Sequence, residues 1–548
     1  MRLKSRNEQF RHGSAGFADF AAIQRAGFTQ SGADKILLGF HDNSDIRIPG
    51  QGGIVTCGGA RSGKLACATA FTALGACWDS HSVWLDIKSE TAAISQLAVT
   101  MANRHGIYWS PVKMIGAPTQ HRIATMDYIH ADSPSLISDI QTFCQNWIPK
   151  SQGKNSAFFD GQAQLQLEAI IIGLVKRDGF VNLPNLYEAV MLAGTGGEEF
   201  LDRLGFYMSI CTEHAHVRRI EEKLAQLHAQ GSNETYDGIY GVMSNSVACL
   251  SDPVLRESLT PYPDGSYDFS FEDMVSDKNL YSLFICVPHE NLQTWSPVIK
   301  SIFVAGRIWK SRNPFSKPQL WVLDECGNLG GGEFPLAVEL FTICAGLNLK
   351  PWAIFQSQKQ IANLGKNAEH ILLSSAQTQQ YFGVRDFDTA SALSRRIGAE
   401  TLRYEDEHLR AKAKHSRMQA LYGMLRGEDP MEAIMRARHH AHMHETPQTQ
   451  RRMVMNADEI LNMPSNEQVI FTDNIGAPIR CEKRAYYDQE LMAGTYLPNP
   501  YHPPHDRVRI KTRRGYDWLR VVTEPVPPQY AHLPQYKDGY WTRLAPMS

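Results

Sequence analysis

The stretch "GGIVTCGGARSGKLACATAFTALGAC" constrains the fold more than any other part of the chain. A short apolar run ends at Gly58 and Gly59. Ala60, Arg61 and Ser62 follow, and Gly63 and Lys64 then open a segment of small apolar residues at helical spacing. The GxxxxGK spacing is that of a loop whose backbone N–H groups turn inward around an anion. The following helix would add its positive end and Lys64 a mobile cation for the terminal phosphates. Such a loop needs a strand before it and a helix after it, and "SVWLDIK" supplies the second buried strand of a βαβ unit. The next position is Leu65 rather than the Ser or Thr that normally holds magnesium. A working nucleotide site, a weakened one and a chance match all remain open at this point.

Further along, strand character returns at "LYSLFICV", "QLWVLD", "KPWAIFQ" and "TQQYFGV", separated by helix-like runs such as "SPVIKSIFVAGRIWK". Alternation of this kind implies a parallel sheet with helices on its faces. Between about 150 and 280 the pattern is helical without convincing strands, which predicts an all-helical insertion. The expected division is 1–145 and 279–498 as two parts of one nucleotide-binding domain, 146–278 as the all-α insertion, and 499–548 as an extended Pro/Tyr/Arg-rich tail. A charged, His-rich helical excursion is expected at 403–450.

The run "LWVLDECG" brings Asp324 and Glu325 to the carboxyl end of a buried strand, where open α/β sheets bind ligands. Asp324 is expected to organise a magnesium shell and Glu325 to orient or deprotonate an attacking water. The competing explanation is an acidic strand end that caps the next helix. Gln356 closes the following strand, where an amide could sense the γ-phosphate or simply be a satisfied strand-end group.

Bulk composition narrows the classes little. Apolar residues make up 43%, an ordinary globular content, and 55 basic residues nearly balance 57 acidic ones, so nucleic-acid contact would have to come from local patches. The ten cysteines are scattered without a CxxC pair, which favours a reduced, cytosolic setting. The longest clean apolar run, "AIIIGLV", is far short of the ~20 residues of a membrane-spanning helix.

Eight ordered blocks across about 12–490 resemble the type IV secretion coupling proteins, the TraG/TraD-like ATPases of bacterial conjugation and effector export. "HGSAGFADFAAIQRAGF" resembles the family's lead-in and "GGARSGKLA" its TRSGKG-type loop. "WLDIKSE" looks like its D-x-K-G-E strand end, with Ser89 where glycine is usual. "LYSLFICVPHENLQ", "VLDECGNLG" and "IFQSQKQI" resemble its S-L-Y-L-x-V-P segment, LDE-F-x-x-L-G box and Q-S-x-x-Q strand. "SRRIGAETL" and "RRMVMNADEILNMPSNEQVIF" look like its closing segments.

The resemblance implies an α/β fold: a RecA-like P-loop nucleotide-binding domain, mostly parallel sheet with helices on both faces, interrupted by an inserted all-α domain. It also implies ATP and Mg2+ as cofactors and a homo-oligomeric ring, a hexamer by family. Type IV secretion channel components would be partners, with relaxase–DNA or effector proteins as cargo. The expected location is the bacterial cytoplasm at the inner face of the inner membrane. The family usually carries two N-terminal membrane helices, so attachment here is expected through a partner or an anchor missing from this sequence.

Two further departures matter. Leu65 offers no oxygen to a metal. The family's arginine from a neighbouring subunit has no counterpart in "LAVELFTICAGLNLK"; Lys350 is a poor replacement for a planar bidentate donor. Arg385, in "FGVRDFD", is a candidate substitute, equally readable as a surface arginine paired with Asp386 or Asp388. These departures keep a rival reading open, a hydrolysis-deficient soluble adaptor of the same family. Two smaller signals are His440 and His444, four apart as in a metal grip but more simply a solvated helix face, and "DRVRIKTRRGYDWLR". That basic stretch interleaves aromatics as single-strand binders do, and equally reads as an edge strand or a partner-docking tail.

Overall fold

The computed structural model describes residues 13–32, 35–49, 52–76, 79–151, 153–194, 233–329, 334–404 and 448–547, with isolated positions in 218–222 and 414–435. His440 and His444 lie outside the described residues, as does most of the charged 403–450 stretch. Two compact units are formed: Phe28–Tyr381 with Glu482–Ser548, and Met1–Gly27 with Phe382–Cys481.

The larger unit is built on strands β1 (Lys35–His41), β2 (Ser44–Pro49), β3 (Ile54–Gly58), β4 (His81–Leu85), β5 (His105–Trp109), β6 (Tyr281–Ile285), β7 (Gln319–Asp324), β8 (Leu349–Phe355) and β9 (Thr378–Phe382). Its central order is β9-β3-β8-β7-β4-β6-β5. From β3 to β5 every neighbouring pair is parallel, with Cys57 opposite Phe355, Asp324 opposite Ile354 and Leu85 opposite both Leu323 and Ile285. Helices cover a parallel sheet on both faces, so its strands read as continuous apolar runs; β3, β4, β6 and β8 are buried at every residue. The one hydroxyl inside β3 is fully bonded: Thr56 Oγ1 donates to Gln380 Oε1 at 2.8 Å and accepts from Trp352 Nε1 at 2.9 Å. Patterning missed the antiparallel β1–β2 hairpin and the short β5, which follows a left-handed turn at Asn103.

Among the described residues no strand occurs between Trp109 and Tyr281. Helices Leu136–Trp147, Lys154–Asp178, Leu183–Gly194 and Asn233–Val247 occupy this region and pack on one another. The longest carries the "AIIIGLV" run, whose Ile170, Ile171, Ile172, Leu174 and Val175 are all buried, and Gly179 ends it in the left-handed conformation (φ 81°). No helix among the described residues is long and apolar enough to cross a membrane.

The smaller unit contains β10 (Ala399–Tyr404), paired antiparallel with β11 (Gln448–Met453), together with β12 (Glu467–Thr472) and β13 (Ile479–Glu482). Its helix Phe387–Ile397 starts at Asp386, whose carboxylate accepts from Thr389 N–H.

The C-terminal stretch corrects the expectation of an extended tail. It folds as an antiparallel sheet of β14 (Arg507–Thr512), β15 (Gly515–Pro525) and β16 (Tyr540–Pro546). Val508, Ile510, Leu519 and Leu544 turn into a cluster with Phe40, Phe71 and Ile94 of the same unit. Its last turn also seals the sheet edge. The outward N–H of Gly106 in β5 donates to Gln535 Oε1 at 2.8 Å, and that of Tyr108 donates to His121 Nδ1 at 2.8 Å. Burial lowers the His121 pKa to about 4, so the ring is neutral. Its Nε2 therefore carries the proton and donates to Pro534 O at 3.0 Å.

Gln535 is buried and its amide also donates to Arg104 O at 3.1 Å. Gln535→Ala leaves two buried backbone groups of the edge unpaired and is expected to cost about 2 kcal/mol in urea denaturation.

Candidate functional site

The carboxyl ends of β3, β8, β7 and β4 lie side by side in the sheet. Adjacent strands are ~4.8 Å apart, so with β8 between them β3 and β7 end about 10 Å from each other. The segments leaving these four strands are far apart in the chain and meet at one rim.

After β3 the loop turns through Arg61 (φ 58°) and Gly63 (φ 84°), both left-handed. Ser62 Oγ donates to Gly59 O at 2.6 Å, which draws the loop closed on itself. Lys483 Nζ donates to Ser62 O. The segment after Lys64 winds more widely than an α-helix, with Ala70 N–H reaching Leu65 O five residues back. Ala60, Arg61, Ser62, Gly63, Lys64 and Leu65 all line a cleft of ≈ 1480 Å³. Gly58 ends β3 and Gly59 is buried behind the loop; neither lines the cleft.

Asp324, Glu325 and Gln356 line the same cleft. The capping explanation fails at Asp324: the turn after β7 has no side-chain cap, and the buried Asp324 Oδ1 has no hydrogen-bond partner. Burial, reinforced by the Glu325 carboxylate, pushes the Asp324 pKa up to about 7, while Lys64 pulls it down. Glu325 itself is left-handed (φ 52°), a strain of about 1 kcal/mol. Its Oε1 accepts from Gln356 Nε2 at 3.0 Å, tying the ends of β7 and β8 together. Gln356 N–H in turn donates to Gln360 Oε1 at 2.8 Å.

Capping occurs instead at Asp86, after β4. Its carboxylate accepts from Glu90 N–H at 3.1 Å and Ala92 N–H at 2.7 Å, at the start of helix Glu90–Met101. Burial, helped by Asp324 and Glu90, raises the Asp86 pKa to about 7 despite those bonds. Asp86 and Glu90 line the cleft as well. Sequence reasoning assigned neither a role, although "WLDIKSE" contained both. Lys483 carried no signal, since a lone lysine after a strand is unremarkable. Among the described residues no cluster of three or more His, Cys, Asp or Glu side chains forms a closed metal cage.

A family model described as type IV secretory system conjugative DNA transfer matches residues 39–421 and 432–504. The chain belongs to this family. No curated protein matches it by sequence. The bacterial conjugative coupling protein TrwBdeltaN70, in a trigonal form with sulphate, has a similar fold: TM-score 0.55, 13% identity, 87% of this chain and 96% of that chain covered. TrwB with the non-hydrolysable GTP analogue GDPNP gives TM-score 0.56 at 14% identity over 87% and 97% of the two chains. TrwB with ADP and Mg2+ gives 0.56 at 13% identity over 86% and 96%. These likenesses establish the shared α/β architecture.

The departures of this coupling-family chain now have places. Ser89, where the family usually has glycine, is left-handed (φ 52°) and buried, and its Oγ accepts from Gly116 N–H at 3.2 Å. Leu65 faces the cleft. Lys350 is buried within β8. Arg385 belongs to the smaller unit and is exposed ahead of helix Phe387–Ile397, whose cap uses Asp386.

Asp324 provides a pH test. Its folded pKa of about 7 lies above the ordinary 3.8, so between those values the folded state holds a proton that the unfolded chain has released. In metal-free buffer stability therefore falls as pH rises through this window and stays low above it. Asp324→Asn removes that loss and is expected to gain roughly 2 kcal/mol on the wild type between pH 5 and pH 8, measured by urea denaturation in EDTA.

Proposed function

We propose that the chain is an ATP-driven coupling protein that delivers relaxase–DNA or protein substrates to a type IV secretion or conjugation channel. One observation carries this reading: Lys64, Asp324, Glu325 and Gln356 line a single cleft at the carboxyl rim of parallel strands, with a buried Asp324 oxygen left unbonded. In this reading the loop backbone from Ala60 to Gly63 and the Lys64 ammonium hold the β- and γ-phosphates of ATP.

The donor chemistry fits Mg2+. Asp324 would supply a hard carboxylate oxygen, and the lack of a closed cage among the described residues suits an ion that keeps waters and phosphate oxygens in its shell. When bound, the ion would neutralise charge gathering on the transferred phosphoryl group. TrwB binds ADP with Mg2+, which supports the same pairing here.

Glu325, held by Gln356 at 3.0 Å, aims a carboxylate into the cleft and accepts the proton of an attacking water. Gln356 shares that hydrogen bond, so a change at the phosphate end of the cleft reaches β8 and the segment after it. A ring, six-fold by family, would let a neighbouring subunit complete the charge neutralisation, with Arg385 as the candidate donor. Residues 146–278 are the proposed substrate-recognition domain within a nucleotide-binding domain split as 1–145 and 279–498. The proposed location is the cytoplasmic face of the inner membrane, reached through a partner or an N-terminal anchor.

The adaptor reading rests on Leu65 and the missing arginine. With DNA and ring-forming partners present, wild-type protein is expected to hydrolyse ATP. Glu325→Gln should lower turnover by about 100-fold or more while nucleotide binding stays within about twofold. Equal inactivity of wild type and variant would assign the chain to the adaptor class. Leu65→Thr restores a hydroxyl to the loop and is expected to raise magnesium-dependent nucleotide affinity roughly tenfold, read by titration calorimetry with and without Mg2+.

A further inference from the structure

The cleft is larger than the ~300–1,000 Å³ usual for a small-molecule pocket, and its lining continues past the phosphate loop onto the C-terminal sheet. Arg507, Arg509 and Trp518 belong to that lining. They share one face of β14 and β15, because Arg509 pairs directly with Trp518 and Lys511 with Tyr516, while the alternate pair Val508–Leu519 is turned into the hydrophobic cluster. The Arg507 guanidinium lies over the Trp518 ring at 5.2 Å from its centroid, and Arg509 lies over Tyr516 at 4.4 Å. Asp488 fixes this arrangement, accepting from Arg509 at 3.0 Å and from the Tyr516 hydroxyl at 3.1 Å. Trp518 remains 37% exposed, and among the described residues Arg507 has no ion-pair partner.

A planar guanidinium stacked on an indole, held in place before any ligand arrives, presents flat π surface and positive charge together. That is the chemistry that takes up a nucleobase without reading its sequence. We propose that Arg507 and Trp518 hold the base and ribose of the nucleotide whose phosphates sit on the Lys64 loop. The inference rests on the nucleotide reading of the cleft and adds a base-side wall to it. That wall lies beyond residue 504, where the family match ends. A base from a single DNA strand would offer the same chemistry. The cleft's own nucleotide is favoured because Trp518 and Lys64 line one continuous cavity.

Titration calorimetry on the full chain with Mg2+ tests this, using ATP, inorganic tripolyphosphate and a short oligothymidylate as probes. Trp518→Ala and Arg507→Ala are each expected to weaken ATP about tenfold, the loss of one stacking contact, and to leave tripolyphosphate within about twofold. Trp518→Phe, which keeps a stacking ring, should recover most of the ATP affinity. Lys64→Ala should weaken both ligands.

The proposal is overturned if Trp518→Ala binds ATP like wild type, or if it weakens ATP and tripolyphosphate equally, which marks general distortion. It is also overturned if oligothymidylate binding falls while ATP binding does not. Wild type binding tripolyphosphate as tightly as ATP would remove the base-side wall alone. Wild type binding neither would remove the phosphate site and the wall with it.

Discussion

Parallel pairing of β3, β8, β7 and β4 decides where the chemistry of this protein can be. Side chains inside these strands are committed to packing on two helical layers, so polar groups can project freely only where the strands stop. All four stop at the same rim, each followed by a turn carrying a charged or amide side chain. Lys64, Gln356, Glu325 and Asp86 thus become neighbours through register, with no need for proximity in the chain.

The rim is held in an electrostatically uncomfortable state. Asp86 and Asp324 are both pushed to about 7 by burial; Asp324 adds to the rise at Asp86 and Glu325 to that at Asp324, with Lys64 as the counterweight at Asp324. Hydrogen bonds from Glu90 and Ala92 relieve Asp86, which makes it part of the scaffold. Asp324 has no such relief at Oδ1. Two acids at neighbouring strand ends are therefore distinguished by what surrounds them, one holding the start of a helix and the other keeping a carboxylate oxygen unbonded. The left-handed Glu325 adds local strain, which the bond from Gln356 helps to hold.

Much of this was legible in the residues. GxxxxGK between an apolar strand and a small-residue helix has few structural uses, and "LWVLDECG" declares its carboxylates by ending a buried run. Asp86 was hidden because an acid four residues before a glutamate looks like any helix start, and its closeness to Asp324 arises from β4 and β7 pairing across a long interval of sequence. The C-terminal sheet escaped for another reason. Its apolar residues Val508, Ile510 and Leu519 are separated by arginines and lysines, and proline-rich "VPPQYAHLP" interrupts β15 and β16. A strand whose second face is basic resembles a tail until its partner strands are known. Lys483 became meaningful only once its ammonium was found on Ser62 O.

The sealing of β5 has a bearing on self-association. An open edge strand invites another chain to add itself by backbone pairing, the route by which sheets run on into fibres. Here the two outward amides of β5 are already taken by Gln535 and His121, side chains that cannot pass the ladder onward. Copies of this protein that come together are denied indefinite extension along this border.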